Sequence, residues 1–230
     1  MKEFFTESVF LGVVLSLLAY EIGAWVKRRT KLALANPLLI AVLLVVAFLL
    51  LFDIDYEVYE RGAVCISYFL TPATVSLAVP LYRKLVLLKR HPGAILGGIL
   101  AGVMTAVVSI FLMSLAFGLN HEQYVTLLPK SITTAIGMGV SDKLGGMVSI
   151  TVVAISITGI LGNMAAEGVL KLFKITEPIA RGLAIGTASH AMGTSRAMEM
   201  GETEGAMSSL SIVVAGIMTV AAASVFGNFL

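Results

Sequence analysis

The chain has 230 residues, of which 58% are hydrophobic and only 13% charged, and its mean hydropathy is +0.96. A soluble domain of this length does not need so much apolar surface, so the composition predicts an integral membrane protein. The net charge of +2 is spread over loops, which excludes a nucleic-acid-binding surface, and the lone Cys65 excludes an intrachain disulfide and a cysteine-rich metal site. No metal or cofactor is expected.

Six apolar segments each meet or approach the roughly 20 residues that a helix needs to cross the hydrocarbon core of a bilayer. The first, residues 8–26, carries one acid, Glu21, and lacks a cleavage site, so we expect a retained span rather than a signal peptide. The others contain no Asp, Glu, Lys or Arg and cover residues 32–52, 62–82, 92–120, 144–166 and 205–230. The pattern predicts an all-α polytopic membrane protein with about six full transmembrane helices in a single domain, 1–230.

The distribution of basic residues predicts the orientation, because short cytoplasmic loops are enriched in Lys and Arg. Basic residues cluster at 27–31 and at 83–90, whereas the intervening loop, 53–60, is acidic. We therefore expect the N-terminus outside and the loops 27–35 and 83–91 in the cytoplasm.

Two short segments, 131–141 and 182–195, are rich in Gly, Ser and Thr and hold only 11 and 14 residues. They are either re-entrant hairpins or halves of broken spans. If both cross the membrane, the basic loop at 171–181 falls outside, against the rule. We favour re-entrant hairpins, the first entering from outside and the second from inside. Irregular backbone at membrane depth survives where it is buried in protein or lines a wet cavity, which is where transporters bind their substrates.

Weak internal similarity supports this arrangement. Residues 145–150 resemble residues 205–210 in the pattern of small and apolar side chains. The chain then divides into 1–61 with two spans, 62–126 with a proline-broken span and a long span, and the candidate inverted repeats 127–170 and 182–230, which would form a transport core.

The first short segment offers groups that attract an anion. Pro129 suits the first turn of a helix, where unpaired N–H groups accumulate. The candidate substrate-binding residues are Lys130, Ser131, Thr133 and Thr134. Alternatively, the hydroxyls only satisfy the backbone of a kinked helix.

The second short segment contributes Thr187, Ser189, His190, Gly193, Thr194 and Arg196. His190, flanked by hydroxyls and glycines, is a candidate proton carrier in a polar cavity, although a packing role is the alternative. Arg196 either clamps a carboxylate or anchors the segment at the cytoplasmic surface.

Four further residues are weaker candidates. Thr71 and Thr74 flank Pro72, which either kinks the span or opens it toward a cavity. Asn163 and Glu167 share one face of a helix. Glu167 is the second candidate for proton coupling, and an ion pair with a lysine one turn later is the alternative.

Four motifs stand out in this chain: Leu128-Pro-Lys-Ser-Ile-Thr-Thr-Ala-Ile136, Thr158-Gly-Ile-Leu-Gly162, Gly186-Thr-Ala-Ser-His-Ala-Met-Gly-Thr-Ser-Arg-Ala197 and Glu204-Gly-Ala206. In them the chain resembles the LrgB/CidB family of bacterial membrane proteins over essentially its whole length. The resemblance implies an inner-membrane protein that works with a smaller LrgA/CidA-type membrane protein. That family was named for antiholin-like control of murein hydrolases and lysis, and it is similar to the C-terminal part of the plastidial glycolate/glycerate translocator.

Three function classes follow. A secondary transporter of small monocarboxylates, of the glycolate, glycerate, pyruvate or 3-hydroxypropionate class, explains the polar segments and is our prediction, with proton coupling and a homodimer expected. An antiholin-like regulator of murein hydrolase activity and lysis is the alternative. An intramembrane enzyme would need a nucleophile and base or a metal cluster, so we do not expect an enzyme.

Overall fold

The computed structural model describes residues 10–30, 35–76 and 78–230. The secondary structure of these residues is helical, with no strand among them, which confirms the all-α class. By its contacts the chain forms two compact units, Met1–Ser76 and Leu77–Leu230.

The first unit contains helices α1 (Leu11–Thr30), α2 (Pro37–Leu51), α3 (Tyr56–Ser67) and α4 (Leu70–Ser76). Helix α2 begins after Asn36, which caps it. The side-chain oxygen of Asn36 accepts hydrogen bonds from the backbone N–H groups of Leu38 and Leu39, which have no acceptor within the helix. Helices α1 and α2 pack through Ala19, Ala41 and Val45.

The second unit contains α5 (Ala78–Arg83), α6 (Leu85–Arg90), α7 (Pro92–Phe117), α8 (His121–Leu127), α9 (Thr134–Lys143), α10 (Val148–Leu172), α11 (Pro178–Met200) and α12 (Glu202–Phe226). Three helices of the described residues, α7, α10 and α12, are long and apolar enough to cross a membrane, by length and composition. They match the predicted spans at 92–120, 144–166 and 205–230.

The other three predicted spans differ from the helices that the structure has. The span at 32–52 is the shorter α2 of 15 residues, and part of the predicted segment, 32–34, lies outside the described residues. The span at 8–26 corresponds to α1, whose last turn holds three basic residues, and residues 8 and 9 lie outside the described residues. The span at 62–82 is divided among α3, α4 and α5, consistent with Pro72 and Pro80, which cannot donate helical hydrogen bonds.

Residues 121–143 form a helical hairpin, called hairpin 1, with α8 and α9 as its arms. His121, at the start of α8, contacts the carbonyl oxygen of Leu144, directly after α9, at 3.3 Å. The backbone N–H of Met147 donates to Thr126 Oγ1 at 2.8 Å. The two ends of hairpin 1 therefore lie side by side, and its tip is the turn at 128–133.

Helix α11 is broken near its middle. Ser189 (φ −135°, ψ 15°) and His190 (φ 42°, ψ −138°) both leave the helical region. Beyond the break the chain turns back, so that Gly193 lies close to the first half of the helix. A methyl group on Gly193 would lie 3.1 Å from the carbonyl oxygen of Ile185 and 2.6 Å from Ser189 Cβ. Only glycine permits so close an approach of the two halves.

The register with α12 shows that the two halves of α11 run in opposite directions. Gly182 lies against Glu204 and Gly186 against Ser208, so the first half runs parallel to α12. In the second half, which leads directly into α12, the hydroxyls of Thr194 and Ser208 are hydrogen-bonded at 2.7 Å. Residues 178–200 therefore form a second helical hairpin, called hairpin 2, with its tip at 189–190.

The two hairpins enter the second unit from opposite ends. Helix α9 runs parallel to α12, since Ile136 packs against Gly216 and Leu144 against Gly227. We call the end where α7, α9 and α12 finish end A, and the end where α7 and α12 begin end B. Hairpin 1 enters from end A and hairpin 2 from end B, and both reach Ile155 in the first half of α10.

The core of the second unit lies between α7, hairpin 1 and α12. Helix α7 turns an apolar stripe with helical spacing toward this core, namely Ile95, Ile99, Val103, Val107 and Ile110. Tyr124 of hairpin 1 is fully buried against it and donates its hydroxyl to the carbonyl oxygen of Phe226 at 2.9 Å. Hairpin 1 is thereby fixed to both long helices.

Candidate functional site

A cavity of about 900 Å³ lies within the second unit, between α7 and the first half of α11. This volume is in the range of small-molecule sites in proteins. The cavity extends from His91 and Glu177, at end B, to Lys130 and Ser131 at the tip of hairpin 1. The tip of hairpin 2 contributes Ser189.

Lys130 supplies positive charge to the cavity. Its ammonium nitrogen is 3.1 Å from Ser131 Oγ, and among the described residues no carboxylate forms an ion pair with it. The side chain is half-buried. A half-buried ammonium without a counter-ion favours an anionic occupant.

Thr133, the last residue of the tip, and Thr134, the first residue of α9, lie outside this lining. Thr133 precedes α9 as its N-cap residue (φ −64°, ψ 147°), and its hydroxyl makes no capping hydrogen bond. Thr134 opens the helix, and both threonines are half-buried. The residues of this turn that line the cavity are Lys130 and Ser131, which precede Ile132 in the sequence, whereas the two threonines follow it.

In hairpin 2, Thr187 and Ser189 line the cavity. Thr187 is only 6% exposed, and its hydroxyl has no hydrogen-bond partner among the described residues. Ser189, which is 2% exposed, packs its side chain against the bare α-carbon of Gly162 in α10. Both predicted residues therefore lie where a bound molecule can reach the hairpin tip.

His190 lies behind the cavity rather than in its lining. The ring packs against Gly159, and Nε2 is 3.1 Å from the carbonyl oxygen of Ile155. Because a carbonyl oxygen only accepts, Nε2 carries the proton in the neutral ring. This contact joins the tip of hairpin 2 to the first half of α10.

Three other predicted residues hold hairpin 2 in place. The hydroxyl of Thr194 bonds the carbonyl oxygen of His190 at 2.8 Å, besides its bond to α12. Gly193 permits the close packing of the hairpin arms. Asn163 Nδ2 donates to the carbonyl oxygen of Met192 at 2.8 Å and thus joins α10 to the second arm. None of the three is in the cavity lining.

Arg196 forms ion pairs with Glu167 and Glu199. Glu167 also pairs with Lys171 at 3.5 Å, one helical turn later. The guanidinium is thus already engaged by carboxylates, so the geometry favours the anchoring interpretation over the substrate clamp. Glu167 forms the ion pair with Lys171 that is the alternative to a role in proton coupling.

Thr71 and Thr74 belong to the first unit. Thr71 is exposed on α4, and the side chain of Thr74 lies outside the described residues. The cavity is lined by residues of the second unit.

Comparison with known proteins identifies the family. The model of the LrgB-like family matches residues 16–229. The chain belongs to the LrgB-like family. It is similar to the antiholin-like protein LrgB of Bacillus cereus (strain B4264) and that of Bacillus anthracis (strain A0248), each 37% identical over 226 residues. The match covers 98% of this chain and 98% of each relative. No solved structure matches the chain.

Sequence reasoning missed several lining residues of this LrgB-family protein. They are His91 and Glu177 at end B, Gly98, Gly102 and Thr105 on α7, and Thr158 on α10. For α7 the sequence does contain a signal for a lining face, because Gly98 and Gly102 are one turn apart and lie on the same face of the helix. His91 and Glu177 precede prolines at helix starts, and nothing in their neighbours points to a cavity.

Proposed function

We propose that this LrgB-family protein is a secondary transporter of small monocarboxylates in the bacterial inner membrane. The observation that carries the proposal is the cavity that ends on the tips of two opposed helical hairpins, with the unpaired Lys130 at one tip. The proposed role is transport, without catalysis.

The lining favours a small anion with one carboxylate. The Lys130 ammonium and the Ser131 hydroxyl both donate to carboxylate oxygens, and hydrogen bonds to charged groups are stronger than neutral ones. One acid, Glu177, belongs to the lining and lies at the opposite end from Lys130. Lys130 is the one lysine or arginine among the described lining residues, so a second carboxylate on the ligand would find no second such cation.

The hairpin arrangement supports alternating access. Each hairpin precedes a long helix, α10 or α12, and the two pairs enter from opposite ends, as in the inverted repeats of secondary transporters. End B carries most of the basic residues of the second unit, namely Arg83, Lys84, Lys89, Arg90, Lys171, Lys174 and Arg181. We therefore assign end B to the cytoplasm and infer a conformation in which the cavity extends toward the cytoplasm.

This orientation predicts the labelling of two introduced cysteines. In a Cys65→Ala background, Asp142→Cys at end A should react with an impermeant maleimide added to intact cells, and Lys171→Cys at end B should not. Both positions are exposed, so a lack of reaction reports sidedness. Permeabilised cells supply the control in which both react. Labelling of Lys171→Cys alone in intact cells would reverse the assignment.

Proton coupling remains our prediction, with His190 and Glu167 as candidates. A histidine side chain can gain a proton together with a carboxylate substrate and so compensate the substrate's charge. We expect wild-type uptake to rise as the pH falls and His190→Gln to flatten this dependence. Glutamine can still donate to the Ile155 carbonyl, and Glu167→Gln is the matched variant. A wild-type profile in His190→Gln would instead favour Glu167.

The direct test is uptake of labelled C2 and C3 monocarboxylates into proteoliposomes that contain the purified protein, with and without an LrgA/CidA-type partner. Saturable uptake above that of protein-free liposomes supports the proposal. Uptake with the partner alone would assign transport to that protein, and no uptake in any combination would remove transport. Crosslinking in the same membranes tests the expected homodimer.

Antiholin-like regulation of murein hydrolase activity is the second candidate, because the relatives carry that description. One comparison distinguishes the two functions: a variant that inserts normally but does not transport is introduced into a deletion strain. If this variant restores controlled lysis, lysis control is independent of transport. If it does not, lysis control depends on transport.

A further inference from the structure

A second cavity, of about 450 Å³, lies within the first unit, between α1, α2 and α3. Its described lining consists of aliphatic side chains, three tyrosines and one serine, without a charged group. Tyr20 and Val42 of the lining are also exposed, so the cavity is open along one side. We call it the apolar groove.

The serine of the groove already has its hydrogen-bond partners. Ser16 Oγ donates to the carbonyl oxygen of Gly12 at 2.6 Å and lies 2.7 Å from the hydroxyl of Tyr59. A hydroxyl has one hydrogen, so with the first bond formed the tyrosine donates to the serine. Neither hydroxyl therefore needs a polar ligand, and the lining favours an apolar occupant.

The groove has the length of one bilayer leaflet. Its lining on α2 extends from Leu38 to Leu49, which at 1.5 Å per residue is about 16 Å. Half of a hydrocarbon core of about 30 Å is about 15 Å, the depth that one acyl chain occupies. A cylinder of this length and volume is about 6 Å wide, whereas a helix with its side chains is about 10–12 Å wide. The dimensions therefore fit a single hydrocarbon chain better than a helix of a protein partner.

One end of the groove lies beside the basic end of α1. A methyl group on Gly23 would lie 2.5 Å from the carbonyl oxygen of Pro37, so α1 contacts the first residue of α2 at this point. The groove lining on α2 begins at the next residue, Leu38. Beyond the contact, the last turn of α1 contains three basic residues, Lys27, Arg28 and Arg29.

Among these basic residues, Lys27 is the best placed to bind a headgroup. It follows Tyr20 of the lining by seven residues, about two helical turns, so both lie on one face of α1. Arg28 is 3.7 Å from Glu21, whereas no carboxylate of the described residues forms an ion pair with Lys27. The exposed Trp25 lies in the same part of α1, and tryptophan is enriched where a span meets the headgroups.

We propose that the apolar groove binds one acyl chain of an anionic phospholipid from the cytoplasmic leaflet, with the lipid phosphate paired to Lys27. Basic residues next to a span are attracted to the anionic lipids of that leaflet. The bound chain contacts α1, α2 and α3 together, so the lipid stabilises the first unit. This site belongs to the first unit and does not depend on the proposed transport function.

The test measures lipid binding by the full-length protein, purified and delipidated in detergent. Phosphatidylglycerol and phosphatidylcholine with identical acyl chains are added separately, and thermal stabilisation is recorded together with the lipids retained in native mass spectrometry. Wild type should retain phosphatidylglycerol more tightly and melt at a higher temperature with it. Glycerol phosphate, which has the anion without the acyl chain, should give no stabilisation.

A charge variant tests the headgroup contact. Lys27→Gln should lower the apparent affinity for phosphatidylglycerol about fivefold and leave that for phosphatidylcholine unchanged, since one lysine near a membrane surface contributes about this factor. Lys89→Gln is the matched control, because Lys89 is an exposed lysine in the last turn of another helix, α6, and lies outside the groove lining. It should keep the wild-type preference.

A bulky variant tests the groove itself. Val42→Trp places an indole ring in the groove and should reduce the retention of both lipids. Leu43→Trp is the matched control, since Leu43 is the next residue on α2 and is also exposed, but lies outside the lining. Both substitutions replace exposed side chains, so melting without added lipid should stay close to that of wild type.

Four results would overturn the proposal. Equal affinity of wild type for the two lipids, or an unchanged preference in Lys27→Gln, would remove the headgroup contact. Wild-type lipid retention in Val42→Trp would place the lipid elsewhere. Stabilisation by glycerol phosphate alone would indicate a site for a free anion. Loss of a homodimer in Val42→Trp without loss of lipid would show that a second copy of the chain occupies the groove.

Discussion

Lys130→Met should reduce monocarboxylate uptake by about tenfold to a hundredfold without a comparable loss of membrane-inserted protein. Methionine keeps most of the length and apolar stem of lysine and removes the ammonium. A hydrogen bond to a charged group contributes about 1.5–3 kcal/mol, which corresponds to this range. The loss should appear mainly as a higher substrate concentration for half-maximal uptake.

Lys143→Met is the matched control for this variant. Lys143 lies in the last turn of α9, in the same hairpin and with the same charge, but it is exposed and outside the cavity lining. Uptake is measured in proteoliposomes and divided by the amount of reconstituted protein. Equal uptake in the two variants would remove Lys130 from the binding site.

Lys130→Arg separates charge from geometry. Arginine keeps the positive charge but presents a planar fork in place of a compact ammonium. If charge attraction dominates, this variant should retain most of the uptake that Lys130→Met loses.

The two hairpins could be recognised from the sequence because their composition breaks local rules. Gly, Ser and Thr at 131–141 and 182–195 interrupt an otherwise apolar chain, and the basic loop at 171–181 selects the re-entrant arrangement through the positive-inside rule. The structure has a hairpin tip at or next to each segment, at 128–133 and at 189–190. Local composition therefore predicted the position of both tips, whereas the re-entrant arrangement that the charges favour stays a prediction.

Local composition does not predict which side chains of a helix face a cavity. Ser189 and His190 are adjacent and similarly buried, yet the first lines the cavity and the second bonds the Ile155 carbonyl. Their directions follow from the broken dihedral angles at the tip, which depend on packing against α10. Met192, the partner of Asn163, and Glu167, one partner of Arg196, likewise lie 29 positions away in the sequence, beyond the reach of a helical period.

The count of six spans stays a prediction, since three helices of the described residues are long and apolar enough to cross a membrane. Absence of charge marks a segment as apolar, but α2 has 15 residues and the segment at 62–82 contains two prolines. Length of apolar run and length of continuous helix are different quantities. Both lengths agree in α7, α10 and α12, where the predicted span matches a helix of the structure.

Gly162→Ala should impair the protein strongly, because Gly162 is the point where α10 supports the tip of hairpin 2. A methyl group there would collide with Ser189 Oγ and would lie 2.5 Å from Ser189 Cβ. Rotation of the serine side chain moves Oγ but leaves Cβ in place, so the tip itself must shift. Such overpacking typically costs about 1–3 kcal/mol, of which the better helix propensity of alanine offsets about 1.

Gly168→Ala gives the matched comparison on the same helix. Nothing lies within 4 Å of a methyl group added at Gly168, so this variant gains helix propensity without a collision. We expect wild-type or higher thermal stability for Gly168→Ala in detergent. Gly162→Ala should melt at a lower temperature and lose most of its uptake per reconstituted molecule, because the displaced tip carries Ser189, and Thr187 close to it, out of the cavity lining. Identical melting and uptake in the two variants would show that hairpin 2 does not depend on this contact, and the proposed site at its tip would lose its structural support.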